Sequence, residues 1–270
     1  MIPPASGRKR RVRRSWWRPD ARLAAVERRA VTPRNAVVWD VLRRELDRLA
    51  PPGAGRRLTV VDVGGGTGGF AVPLAQAGHT VTVVDSSPDA LAALTRRAAE
   101  AGVAERVTAV QGDADALADR VPAGGADLIL CHSVLEVVDG PGEVARSLAA
   151  ALCPGGAASV IVANRAAAVL SRAINGHLDT ALALLIDPDG RAGARDTLRR
   201  RYDAETAVAL LAKAGLTVEE IHGVRVAADL VPGTVAERDD SALVEFELAT
   251  AARAPYRDIA TQLHLLARRP

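Results

Sequence analysis

The chain holds 270 residues with a formal net charge of +3; 49% of them are apolar, 25% charged and 3% aromatic. That length and balance suit one large domain, or one domain with an elaboration, around a substantial core. Two cysteines, Cys131 and Cys153, exclude a disulfide framework and a ligand-spaced metal cluster, and no 18-residue apolar run escapes proline, glycine or charge, so neither a metal nor a membrane partner is expected.

Charge is concentrated at the N-terminus. Residues 1–50 carry 14 basic and 5 acidic side chains, and "RKRRVRR" at 8–14 is followed by Trp16 and Trp17. Basic side chains beside aromatics could neutralise phosphates and stack on bases, as a tRNA partner would require. The competing reading is a solvated tail with no specific partner. No apolar stretch follows these charges, so they form no secretory signal and the protein is expected in the cytoplasm. Residues 1–18 are read as a disordered tail and 19–270 as the folded domain.

Helical apolar spacing marks "DARLAAVERRA" and then "RNAVVWDVLRRELDRLA", which ends at Pro51-Pro52-Gly53. Strands and helices then alternate. Strands are expected at 57–63, 79–85, 106–112, 126–132 and 157–163, with helices at 69–78, 87–102 and 142–152 between them. Pro88 suits a first helical turn and Gly102 a stop. Short apolar runs separated by helices imply a doubly wound, mostly parallel sheet buried on both faces. After a short helix near 165–174 the pattern loosens, and about 165–202 reads as a cap or insertion over the ligand site. The helix at 203–215 has Asp203 to cap it and Gly215 to end it. A strand at 216–229, a helix near 238–252 and a strand at 259–268 close the chain.

The chemistry gathers at "VVDVGGGTGGF", residues 60–70. A phosphate loop needs a lysine and a hydroxyl residue after its last glycine, and Gly68-Gly69-Phe70 supplies neither. Gly64, Gly66 and Gly69 match the dinucleotide pattern, with Asp85 placed for a ribose. However, Gly64, Gly66 and Gly68 also fit D-x-G-x-G-x-G behind Asp62. A carboxylate there would repel a pyrophosphate and attract an ammonium group. A ligand with a positive end and no phosphate is wanted, and S-adenosyl-L-methionine is such a ligand. Asp113 and Asp115 follow the third strand, His132 the fourth, and "LCPGG" precedes the fifth. No second mononucleotide-binding half is visible.

In this order the residues resemble the class I S-adenosylmethionine-dependent methyltransferases, whose sheet has seven strands with the last antiparallel. "TPRNAVVWDVL", "DVGGGTG", "DLILCHSVLEVV", "NGHLD", "GVRV", "ALVEFE" and "PYRDIATQLHLLARRP" are further similar to segments of bacterial tRNA 5-carboxymethoxyuridine methyltransferases, across roughly 25–270. The resemblance implies a seven-stranded Rossmann-like methyltransferase fold with N-terminal helices and a small cap. It implies that Arg34 reaches the cofactor's carboxylate and that Gly64 and Gly65 line its methionine end. Asp85 would hold the ribose, Ala114 and Asp115 would flank the adenine, and His132 would touch the cofactor. Three places depart from the family: Ala163 stands for an aromatic, Thr261 and Gln262 replace an arginine–tyrosine pair, and 177–202 diverges most.

Three functions follow for comparison: methylation of a carboxylate on a modified wobble uridine of tRNA, methylation of a small-molecule acceptor, and a catalytically silent cofactor- or RNA-binding module. A carboxylate needs a positioning cation, which Arg225 in "GVRV" or one of Arg199, Arg200 and Arg201 could supply. A phenol or amine needs a base, for which His132 stands first.

Overall fold

The structure, a computed structural model, describes residues 31–194, 196–231 and 240–270; the basic tail and "DARLAAVERRA" lie outside them. Helix α1 (Ala36–Leu49) buries Val37, Val38, Val41, Leu42 and Leu46, the i, i+4 stripe of one face, against the sheet. Its buried Glu45 accepts from Arg48 and from Arg268 at 2.7 and 3.0 Å, which fastens the helix to the last strand of the chain.

The core alternates as expected: β1 (Thr59–Val63), α2 (Ala71–Gln76), β2 (Thr80–Asp85), α3 (Pro88–Glu100), β3 (Val107–Gln111), β4 (Ala126–His132), α4 (Pro141–Ala151) and β5 (Leu152–Ala163). Ser87 caps α3 by accepting from the Ala90 amide, with Pro88 in the first turn. Then follow α5 (Arg165–Ile174), α6 (Leu178–Ile186), α7 (Ala204–Lys213), β6 (Thr217–Val224), α8 (Asp240–Thr250) and β7 (Gln262–Arg268). Asp203 and Thr206 form a reciprocal capping box on α7. The seven strands run β3-β2-β1-β4-β5-β7-β6, with β7 antiparallel to both neighbours.

Two strands differ from the sequence expectation. β5 begins at Leu152 rather than 157, because Leu152 pairs with Ala126 ahead of a bulge made by Cys153-Pro154-Gly155-Gly156. β6 stops at Val224 rather than running to 229. Arg225 turns into the left-handed region at φ 60°, and the amides of Val226, Ala227 and Ala228 leave the ladder for the buried carboxylate of Glu247, each at 2.8 Å. Within 177–202, α6 is a regular helix that packs against α5.

Parallel β1 and β4 carry the reversal of strand order, β1 continuing to β2 on one side and β4 to β5 on the other. In such sheets the crevice at the carboxyl ends of those two strands is where ligands bind. The glycine turn follows β1, and His132 ends β4.

Candidate active site

The turn after β1 owes its shape to glycine. Gly64, Gly66 and Gly68 have φ of 69°, 55° and 80°, values that side chains rarely adopt. Close approach adds a second demand. A Cβ on Gly64 would stand 2.5 Å from a Val134 methyl, and one on Gly65 2.5 Å from the Asp62 carboxyl.

Asp62 lies beneath this turn, 3% exposed, and its Oδ2 finds no hydrogen-bond partner among the described residues. Burial, and secondarily Asp85, push its carboxyl up to about 7. A buried acid without a donor fits a ligand cation, and an isolated anion would otherwise be costly there. Asp85, at the end of β2, accepts from the Gly66 amide at 2.8 Å and the Ser87 amide at 2.9 Å, which ties the two strand ends together.

Two cavities adjoin at Ser133. The larger, about 550 Å³, is lined by Gly64, Asp85, Asp113, Ala114 and Asp115 among others. The smaller, about 220 Å³, is lined by Arg34, Phe70, His132, Arg225 and Gln262 among others. The structure thus sorts the expected site residues into three groups, one at each cavity and one at neither. Asp62, Gly65, Gly66 and Gly68 line neither cavity and lie in or beneath the turn between strand and helix.

Arg34 and Arg225 reach the smaller cavity from opposite ends of the sequence, and both pair with Asp229, at 3.0 and 3.4 Å. Two guanidinium groups share one carboxylate, so a positive charge is left over among the described residues. The Nε of Arg225 is buried and finds no partner among the described residues. Sequence reasoning misses Asp229 and Glu247. The first ends "LTVEEIHGVRVAAD" and the second ends "ALVEFE", yet nothing in their spacing says that one shares two arginines and the other holds a loop.

His132 packs edge-on against Phe70, ring centroids 4.8 Å apart, and hydrogen-bonds Ser159 at 2.9 Å. Burial pushes its imidazole down to about 3. That makes it neutral at physiological pH and a weak proton acceptor.

The arginine triplet has another use. Arg199 pairs with Asp139 at 2.5 Å, Arg200 donates to the carbonyls of Leu135 and Val138, and Arg201 pairs with Asp196 at 2.5 Å. The first two contacts brace the turn after β4, with Arg199 still 54% exposed, and the third holds Arg201 to its own loop, so each guanidinium of the triplet already has a protein partner.

A methyltransferase domain family matches residues 36–221. The chain is 30% identical over 238 residues to tRNA 5-carboxymethoxyuridine methyltransferase of Escherichia coli strain K12, covering 88% of each chain. It is 35% identical over 141 residues to a ubiquinone biosynthesis O-methyltransferase of Ralstonia nicotianae, covering 52% of this chain and 53% of that one. Among solved structures, an S-adenosylmethionine-dependent methyltransferase from Mesorhizobium loti superposes with a TM-score of 0.60 at 22% identity, over 86% of this chain and 98% of that one.

Proposed function

The chain belongs to the S-adenosylmethionine-dependent methyltransferases, and from that premise we propose that its methyl acceptor is a carboxylate, on a modified wobble uridine of tRNA. The cofactor is S-adenosyl-L-methionine. The residues present fit it: the larger cavity has the size of a small-molecule site, and Asp62 offers an ammonium group a buried oxygen that has no partner among the described residues. Asp85 would hold the ribose hydroxyls, Asp113, Ala114 and Asp115 would flank the adenine, and Arg34 would meet the cofactor's carboxylate. The glycines Gly64, Gly65, Gly66 and Gly68 would let the backbone come close to the methionine end.

When bound, the cofactor supplies a methyl group on a sulfonium, with a neutral thioether as leaving group. A carboxylate acceptor is already ionised at neutral pH, so the protein has only to position it and exclude water. The observation that carries the acceptor class is Arg225. It lines the smaller cavity, its backbone is held in the left-handed region, and its Nε has no partner among the described residues. Strain of that kind persists where the surroundings impose it. An incoming carboxylate would take the guanidinium now shared with Asp229. The E. coli relative's name supports the same class, since that enzyme is named for a carboxymethoxyuridine.

A phenol acceptor has one observation in its favour, the partial likeness to ubiquinone biosynthesis O-methyltransferases. It would need a base, and His132 at about 3 is far too weak for a phenol near 10. The deciding experiment incubates the protein with cofactor and either tRNA bearing carboxymethoxyuridine, small carboxylates or phenols, and reads methylation by mass spectrometry. The expected product is a methyl ester on the tRNA nucleoside. Arg225→Ala should lower turnover about 100-fold while S-adenosylhomocysteine affinity stays within about twofold. Methylation of phenols alone, with tRNA untouched, would reject the reading.

A further inference from the structure

A line of buried polar side chains crosses the sheet away from the smaller cavity, and the expected chemistry of methyl transfer leaves it unused. His132 on β4, Ile161 on β5, His264 on β7 and His222 on β6 are register partners. Ser159 precedes Ile161 by two residues and Glu220 precedes His222 by two, so the period of a strand puts all of them on one face. On that face His132 Nε2 meets Ser159 Oγ at 2.9 Å, and Ser159 Oγ meets His264 Nε2 at 2.8 Å. His264 Nδ1 meets His222 Nδ1 at 3.4 Å, and His222 Nε2 meets Glu220 Oε2 at 3.2 Å. Arg44 on α1 closes the line with two hydrogen bonds to Glu220, at 3.0 and 2.9 Å.

Donor and acceptor counting gives this line a direction. Glu220 is held as a carboxylate by Arg44, so it can only accept. His222 Nε2 must therefore donate. Burial keeps His222 and His264 neutral, and a neutral imidazole donates once and accepts once. His222 Nδ1 thus accepts from His264 Nδ1, which leaves His264 Nε2 as an acceptor. Ser159 gives its single hydroxyl proton to His264 and accepts from His132 Nε2. His132 Nδ1 is left unprotonated, buried and without a partner among the described residues.

We infer that Arg44, Glu220, His222, His264 and Ser159 form a positioning chain that locks His132 in its Nε2–H form and so presents Nδ1 as a standing acceptor for an N–H or O–H of a bound ligand. A free histidine would divide its time between two tautomers and offer the wrong one part of the time. The inference rests on His132 belonging to the ligand site and is independent of which acceptor is methylated.

Nitrogen-15 NMR of histidine-labelled protein without ligand reads the tautomers directly. His132 and His222 should be in the Nε2–H form and His264 in the Nδ1–H form. Ser159→Ala, and separately Glu220→Ala on the partly exposed rim, should turn His132 into a mixture of tautomers at unchanged secondary structure by circular dichroism. A His132 that is Nδ1–H in the parent protein, or that stays wholly Nε2–H in both variants, overturns the chain. Ligand arms name the donor. A roughly tenfold loss of S-adenosylhomocysteine affinity in Ser159→Ala places it on the cofactor. A tenfold rise in KM for the methyl acceptor, with cofactor affinity unchanged, places it on the acceptor. If Ser159→Ala changes neither S-adenosylhomocysteine affinity nor the KM of the methyl acceptor, the functional half of the inference is overturned. Because the tautomers are read on the free protein, their failure is distinct from a failure of the carboxylate assignment, which only turnover reads.

Discussion

Asp62 is a carboxylate kept where it is least comfortable. Its ordinary value of 3.8 rises to about 7 because burial, and then the charge of Asp85, disfavour the ionised form. A raised carboxyl favours the folded state fully below about pH 4, and that contribution is lost as the pH rises through 7. Asp62→Asn removes the charge and keeps the shape. It should therefore raise the melting temperature of the ligand-free protein above pH 7, and lower S-adenosylhomocysteine affinity roughly tenfold or more. In the parent protein that affinity should fall towards tenfold per pH unit below 7, as ligand binding has to displace a proton. Paired melting curves and calorimetry at pH 6 and 8 check both. An Asp62→Asn variant that retains the parent's pH slope would show that another group titrates on binding. Asp62 is legible in the amino-acid sequence alone, because an acid two residues ahead of a glycine turn argues against phosphate by charge. Asp229 and Glu247 are not, since a shared ion pair and a buried acceptor depend on chain segments that only the fold brings together.

At the scale of elements, the loop after β6 is the part that chain patterning misreads. "LTVEEIHGVRVAAD" carries enough valine to look like a strand to its end, and the ladder stops at Val224 because a competing acceptor takes the next amides. Glu247 on α8 is 0% exposed and accepts all three. Propensity sees strand-forming residues, and a tertiary carboxylate overrides them. The same carboxylate sets the backbone that aims Arg225. Glu247→Gln keeps the volume but offers one oxygen, and its NH2 would face a backbone N–H. The variant should lose roughly 1–3 kcal/mol of stability. Turnover should fall more steeply than stability explains at temperatures where the variant is folded, while S-adenosylhomocysteine still binds. Turnover equal to the parent's in a fully folded variant would uncouple the loop from the acceptor site. Elsewhere the elements fall close to expectation, since α3 and α7 begin at the caps Ser87 and Asp203 and strand β4 spans Ala126–His132 as read.

At the scale of the molecule, the doubly wound sheet and the reversed β7 follow from alternation and from family likeness, whereas the division into two adjoining cavities has no signature in the chain. Charge distribution raises the last question. The chain carries +3 overall and +9 within its first 50 residues, so the remaining 220 carry a net −6. A domain of that sign gains nothing from long-range attraction to a polyanion. If tRNA is the acceptor, the phosphates have to be met largely by the N-terminal segment, whose residues 8–14 and neighbouring Trp16 and Trp17 lie outside the described residues. Removing residues 1–18 deletes seven basic side chains. Each phosphate that is no longer neutralised should flatten the salt dependence of tRNA binding by about 0.7–0.9 units in log K against log salt. Affinity should fall most at low salt, and S-adenosylhomocysteine binding should not move, because no residue of the two cavities is removed. Fluorescence titrations of both forms with tRNA, across salt concentrations on the order of 50–300 mM, give the comparison. Equal slopes and equal affinities would mean that the basic run meets no phosphate; tRNA would then have to be held by the acidic remainder of the chain, and a small carboxylate would become the better acceptor for the Arg225 site.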